Sequence, residues 1–522
     1  MTRTHSVVRL FAVLALALAL LAASRGAAVQ AAGIAVDTTT DELNSDGDCS
    51  LREAVQAANT DAAVDACTAG SGADTITLPA GTYTLTIAGT GEDAAADGDL
   101  DVTDDVTVTG AGAGTTTIDG NSGVTGEAVL QVLASNARLA DLTITNGGAS
   151  RGGGIHNLDW SGVGSLILTN VTVSSNAAFN GAGIANDGGT LTINNSTISG
   201  NATTGNSGGG IVNDSGTLVL NGSTVSGNST TSANRPGGGI ANFGGTVTMD
   251  NSVLDGNTAT GEGGGIYNAS GEGGPPGPLT ITDSTISGNT AEDGAGIWND
   301  SEATITNSTI SGNTATIEGG GFFNIGSVDI SSSTISANSS TDGAGGIANV
   351  DGSVTLINTI LAGNTNGDCS GVAVTSNGYN LDSDGTCALA GTGDQSAVNP
   401  LLASLALNAP GSTETHALPA ESPAVDAGDD AACPATDQRG VTRPQDGDED
   451  GSAACDIGAY EFQVAAEPTP TPTGTPTAGP SVLPPTGSWS GSSAGVPWLA
   501  VLVAGAALAG AGGTLVAVRR RR

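Results

Sequence analysis

Lysine is missing from all 522 residues, and 13 basic residues, every one arginine, face 52 acidic ones, for a formal net charge of −39. A surface so acidic repels nucleic acid and other polyanions and argues against reading phosphate. No glycine cluster is followed by lysine, so none is a phosphate cradle. Three arginines precede residue 33 and four close the chain, which leaves Arg52, Arg138, Arg151, Arg235, Arg439 and Arg443 in between. Aromatic residues make up 3%. Helical runs are scarce as well, because glycine or asparagine interrupts the apolar pattern before about ten residues have passed. Cysteine is absent between Cys67 and Cys369.

What fills that space is repetition. Openings GGGIHN, GAGIAN, GGGIVN, GGGIAN, GGGIYN, GAGIWN, GGGFFN and AGGIAN each lead through alternating threonines and aliphatics to a closing asparagine, at Asn176, Asn201, Asn228, Asn257, Asn289, Asn313, Asn338 and Asn364. In Leu191-Thr192-Ile193 and Thr197-Ile198-Ser199 the apolar period is two, that of a strand. One such phrase cannot bury its apolar face, whereas stacked copies can. The expected fold is therefore all-β: a parallel β-helix over 74–364, right-handed as crossovers between parallel strands overwhelmingly are. The recurring asparagines tolerate left-handed backbone and are expected to close turns as a stacked amide ladder.

Residues 1–32 read as an export signal, with basic residues before an apolar run from Leu10 to Ala23 and small residues after it; a retained signal anchor is the alternative. Over 33–73, Leu51, Ala54, Val55 and Ala58 share one helical face, and Ser50 with Glu53 fits a capping box. This predicts a short helix closing the N-terminal end of the rod. Residues 365–462, rich in Asp, Pro and Cys, read as the C-terminal cap. Outside the cytoplasm an even number of cysteines argues for disulfides, and pairing between sequence neighbours is expected: Cys49 with Cys67, Cys369 with Cys387, Cys433 with Cys455.

The run CSLREAVQAAN from Cys49 to Asn59 resembles the CSLREA-type N-terminal region of bacterial secreted β-helix proteins. The GGGI and ISGN phrases resemble the repeats of polymorphic outer membrane proteins. Asn399-Pro400-Leu401-Leu402, Ser422 to Gly428, Asp437-Gln438-Arg439-Gly440 with Arg443-Pro444, and Asp456 to Glu461 resemble the choice-of-anchor Q region. These resemblances imply a surface-displayed β-helix without an assigned activity.

Residues 463–482 form a Pro/Thr-rich spacer. Leu483, Pro484, Pro485, Thr486 and Gly487 then precede an apolar segment at about 496–518 and four terminal arginines, so 483–522 resembles an LPxTG-type sorting signal. That resemblance implies cleavage after Thr486 by a sortase-like transpeptidase. The alternative is a retained transmembrane helix, basic end in the cytoplasm. Both place the rod at the cell surface.

Candidate sites follow from the repeat. Asp187 and Asp214 succeed the asparagine of adjacent coils and are the carboxylate pair a glycoside hydrolase would need, the bland reading being turn preference. His156 is the repeats' one histidine and reads as a surface residue. Lyase-type β-helix relatives imply a basic residue beside calcium-binding carboxylates, for which the regular coils offer Arg151 and Arg235. Asp446, Asp448 and Asp450 copy the first half of an EF-hand loop and suit calcium, but Ile457 stands where its bidentate glutamate belongs, so a solvated acidic loop is the alternative. By strand alternation an outward column runs His156, Ala185, Val212, Ala241, Tyr267, Trp298, Phe323, Ala348. Tyr267, Trp298 and Phe323 are thus candidates to stack sugar rings or dock a protein. Thr280, Thr282, Thr304 and Thr306 align outward on another face, a geometry that could order water. No cofactor is required by any of this. The function expected is a non-enzymatic adhesion, glycan-binding or envelope rod, with a polysaccharide lyase or hydrolase as the alternative.

Overall fold

Runs of two to five residues, rich in β-branched side chains, each form a strand that lies on the equivalent run of the next coil. The computed structural model describes residues 31–271 and 277–464. The sorting signal, its apolar segment, nearly all of the spacer and most of the leader lie outside the described residues. A representative coil reads Thr190–Asn194, Thr197–Ser199, Ala202–Thr203 and Ile211–Asp214. Stacking gives three long faces. Face 1 has 13 strands, from Gly33–Ala35 to Thr375–Ser376, and face 2 has 13, from Gly81–Thr84 to Gln395–Ser396. Face 3 has 11, from Leu100–Val102 to Cys369–Gly371. Their pairings are parallel, for example Leu191 with Leu218 and Ile184 with Ile211. The fold is a parallel β-solenoid.

Register carries the alternation from coil to coil, so one column of each strand is always interior. Ile184, Ile211 and Ile240 are all fully buried in the shared core. Outside, Thr280 lies on Thr304 and Thr282 on Thr306.

The closing asparagines form the expected ladder. Asn201 Nδ2 donates to Asn228 Oδ1 at 3.0 Å, and Asn228 to Asn257 at 3.0 Å. Each also reaches a neighbouring carbonyl, as Asn201 does Val173 at 3.0 Å. The left-handed backbone falls on the residue before, Gly200 at φ +62° for instance, rather than on the asparagine. A second ladder, Asn157 to Asn186 to Asn213 to Asn242, stacks the asparagines of the opening phrase. Amides that pair with one another satisfy polar groups that burial would otherwise leave costly.

Helix α1, Leu51–Thr60, closes the first coils, with Ser50 and Glu53 making both halves of the capping box. Fully buried Arg52 is bound to Asp41 at 2.6 Å. Its guanidinium also donates to the carbonyls of Gly98 and Asp99, each at 2.9 Å. The three disulfides join sequence neighbours as expected: Cys49–Cys67, Cys369–Cys387 and Cys433–Cys455. Disulfides mark an oxidising, exported setting.

Rungs continue past Asn364 to Gln395–Ser396. The segment that follows lies along face 2. Gln438 Oε1 accepts from Thr309 at 2.6 Å, while its Nε2 donates to Thr285 at 3.0 Å. His416 Nε2 pairs with Ser311 Oγ at 2.8 Å, and the Gly458 amide donates to the Asn358 carbonyl at 2.9 Å. Ile360, Ala362, Leu381, Leu418, Ala424 and Ile457 form a second apolar core beneath it. Arg443 pairs with Glu461 at 3.2 Å, both fully buried as side chains. The DQRG and DIGAYE phrases thus brace this segment against the rod. No helix among the described residues is long and apolar enough to cross a membrane.

Candidate functional site

Face 3 carries the candidate residues in two columns that point outward. Asp101, Gln131, His156, Ala185, Val212, Ala241, Tyr267, Trp298, Phe323 and Ala348 succeed one another in register. The expected column is present and extends back to Asp101. Two residues further along each strand, Leu133, Leu158, Asp187 and Asp214 stack in turn.

Outward is not the same as exposed. Ala185, Val212 and Ala241 are fully buried. The turns before each strand fold back over this column, and only glycine permits the approach. At Gly181, φ +61°, a Cβ would meet Val212 Cγ1 at 2.5 Å. The aromatic rungs stay half-buried. Tyr267 and Trp298 stack at 4.5 Å and 15°, and Trp298 and Phe323 at 6.2 Å and 7°. Phe243 leans on Tyr267 at 5.6 Å and 54°. These rings turn their faces to one another, so the row presents mostly edges. Burial first, then Glu262 and Asp300, pushes the Tyr267 phenol up to about 12.

Between the aromatic rungs and the first coils lies an ionic cluster. Arg151 ends the short lateral strand Gly148–Arg151, whose neighbour Ala177–Asn180 sets Arg151 in register with Asn180. From there its guanidinium reaches Asp187 in a short bidentate contact and Asp214 at 3.0 Å. His156 Nε2 lies 2.9 Å from Asp187 Oδ2. Burial alone would raise the Asp187 carboxyl, but hydrogen bonds from His156 and Arg151, with their charges, outweigh it and hold it below the usual range. Asp187 and Asp214 are adjacent as expected, yet they serve one arginine. His156 is a member of this cluster rather than a plain surface residue.

The cluster opens into a cleft of about 920 Å³ lined by Arg151, Trp160, Asn180, Asn206, Asp214, Phe243 and Tyr267 among others. Trp160 is 64% exposed. It rides on a turn pinned by Asp159, whose Oδ1 accepts from the amides of Ser161 at 2.9 Å and Gly162 at 3.1 Å. Trp160 was not among the residues the sequence singled out, although a tryptophan in an unusually long connection between an opening phrase and its next strand was a usable signal.

The calcium candidates come together only in part. Asp446 and Asp448 gather with Asp426, ligand oxygens within 4.8 Å of one another. Asp450 is not in that group; its Oδ1 accepts from the Ser452 amide at 2.8 Å. Asp426 Oδ1 and Asp446 Oδ1 are buried without a hydrogen-bond partner.

No family model matches the chain, and no curated protein matches it in sequence. Among solved structures, that of pectate lyase Pel9A is similar at 16% identity and a TM-score of 0.45, covering 84% of this chain and 98% of that one. The resemblances of the caps and tail to CSLREA, choice-of-anchor Q and LPxTG regions therefore rest on their motifs alone.

Proposed function

We propose that this chain is an exported, surface-displayed β-solenoid that binds a glycan along face 3 without cleaving it. The observation that carries the reading is the 920 Å³ cleft in which Trp160, Phe243 and Tyr267 stand beside Arg151, Asn180, Asn206 and Asp214. Rings offer apolar surface to the C–H side of a sugar, and planar amides, carboxylate and guanidinium bond its hydroxyls. Tyr267, Trp298 and Phe323 prolong that surface along the rod. A net charge of −39 favours uncharged or amino-bearing glycans over uronates.

A polysaccharide lyase or hydrolase is the second reading, favoured by the convergence of Arg151, His156, Asp187 and Asp214. Against hydrolysis, one of the two carboxyls must hold a proton with which to protonate the leaving oxygen. Here Asp187 is kept ionised and Asp214 shares its guanidinium.

The coil is right-handed in this proposal. The tail anchors it through sortase-type cleavage after Thr486 or as a retained membrane span. Calcium is proposed between Asp426, Asp446 and Asp448, with Asp426 replacing Asp450. A glycan array with the purified chain tests the binding reading. Retention of neutral or amino-bearing glycans that Trp160→Ala reduces about tenfold is the expected result. No retained glycan, or release of reducing ends from any of them, overturns it.

A further inference from the structure

The face-3 groove does not stop at Arg151 and His156. Both residues also line a second cleft, of about 450 Å³, whose other wall carries Glu92, Asp93, Asp99 and Glu127. Asp101 heads the outward column beneath it, one rung from Gln131 and two from His156, which both line the cleft. It is fully buried; its Oδ2 accepts from the Ala95 amide at 2.9 Å, and its Oδ1 has no partner. Glu127 repeats the pattern in part: Oε1 accepts from the Gly91 amide at 2.7 Å, and buried Oε2 meets no N–H donor, the carboxyl of Asp99 being the group's other neighbour.

Nor, among the described residues, does a cation neutralise the group. Arg52, packed behind it from α1, is committed to Asp41 and to the carbonyls of Ala95, Gly98 and Asp99. Arg151 is committed to Asp187 and Asp214, and His156 to Asp187. A buried carboxylate oxygen without a donor is costly, and a ligand bringing N–H groups relieves that cost.

We propose that this cleft binds the ammonium group of a ligand, and that the glycan of the groove is accordingly one with free amino groups, a de-N-acetylated hexosamine chain. The inference rests on the glycan reading above and specifies the sugar. An ammonium has three donors that spread to separate acceptors, which suits carboxylates ranged around a cleft. A bare metal ion requires convergent oxygens, and among the described residues the acidic groups that close to within 4.8 Å lie elsewhere. The charges of the empty cleft point the same way. Burial, then Asp101 and Glu127, raises the Asp99 carboxyl to about 8, and burial chiefly, with Glu92, Asp93 and Glu127 adding to it, raises Asp101 to about 7. An ammonium among them favours the ionised forms, so binding expels protons.

Calorimetry on the full chain at pH 6 tests this, with glucosamine hexamer and N-acetylglucosamine hexamer as paired probes, each in two buffers of different ionisation enthalpy. The amino hexamer is expected to bind about tenfold tighter, with net proton release. Glu127→Gln and Asp101→Asn should erase the preference while leaving the acetylated hexamer bound as before. If those buried variants misfold, exposed Asp93→Asn should still reduce the preference about twofold. Equal binding of both hexamers, or a preference without proton release, overturns the ammonium site and leaves the glycan reading intact. A calcium titration whose heat disappears in Glu127→Gln, with no amino preference, overturns it too. If neither hexamer nor any other glycan binds, the glycan reading itself falls.

Discussion

Arg151 Nη2 lies 3.0 Å from Asp214 Oδ2 although 63 residues separate them, and the same nitrogen holds Asp187 one coil nearer. One guanidinium thus ties three successive coils at the mouth of the groove. Asp187 is nearly enclosed, its side chain 3% exposed against 35% for Asp214. Removing one partner of a buried pair leaves the other charge uncompensated, which is the expensive case. Asp187→Asn should therefore lower unfolding free energy by about 3 kcal/mol and Asp214→Asn by under about 1 kcal/mol. Urea denaturation of the two variants checks the order; equal losses would mean that the guanidinium does not discriminate between them.

Stability should also depend on pH in a direction set chiefly by Asp99, Asp101 and Asp456, among several raised carboxyls. Burial is the first cause in each, bringing Asp99 and Asp456 to about 8 and Asp101 to about 7. A carboxyl raised on folding binds protons more tightly in the folded state, so its contribution is complete below about pH 4 and is lost as pH climbs through 7 to 8. Asp187, held low, acts oppositely: what it contributes is complete above about pH 4 and is lost as pH falls from there through its folded pKa. The thermal midpoint is expected to be higher at pH 5 than at pH 9. Asp456→Asn should flatten that slope, which separates the local effect from general repulsion among 52 acidic residues. An unchanged slope in this variant would count against the assignment.

The C-terminal segment offers a test of how it is held. Gln438 is 3% exposed, and its amide contacts Thr285, Thr309, Thr413 and the Glu414 carbonyl. Gln438→Leu fills similar space but strands the Thr309 hydroxyl, which donated to it, at about 1 kcal/mol or more, and removes a donor from Thr285 and Thr413, whose own protons stay on the carbonyls of Glu414 and Asp283. Limited proteolysis should then cut between 400 and 462 sooner than in the parent, while the coils before residue 364 resist as before. Unaltered cleavage would show that the apolar contacts of Leu418, Ala424 and Ile457 suffice alone.

The period-two alternation made the inward columns legible, since a strand's faces follow from its sequence once one residue is placed. That is why Ile184, Ile211 and Ile240, and the outward series from His156 to Ala348, lie in the expected order. Coverage was not legible. Whether Val212 meets water depends on a glycine turn from its own coil and the one before it. Whether Thr285 does depends on Gln438, 153 residues away. Arg151 was legible as a candidate basic residue but its partners were not, for the same reason: nothing local in Gly148–Arg151 says that its side chain spans to Asp187. The aromatic row was legible as a column but not as a self-stacked ladder, because ring orientation depends on the spacing of neighbouring coils.

That dependence on neighbours is sharpest in the asparagine ladder, and position within it predicts the effect of a substitution. Asn257 is fully buried. Its Nδ2 donates to the Val225 carbonyl at 2.9 Å and to Asn289 Oδ1 at 3.0 Å. Its Oδ1 accepts from the Asn228 amide and from Asn228 Nδ2, both at 3.0 Å. Asn257→Ala therefore strands groups on the coils to either side at once, Val225 and Asn228 on one and Asn289 on the other, with a cost of about 4 kcal/mol by the scale for unsatisfied buried polar atoms. Asn176 begins the ladder and has no asparagine donating to it from the coil before; its Oδ1 accepts from the Gly147 amide at 2.9 Å. Asn176→Ala should cost about half as much. Chemical denaturation of both variants, with a midpoint loss at least twice as large for Asn257, is the expected result. Equal losses would mean that each rung is satisfied within its own coil, and the ladder would then be a by-product of the repeat rather than one of its supports.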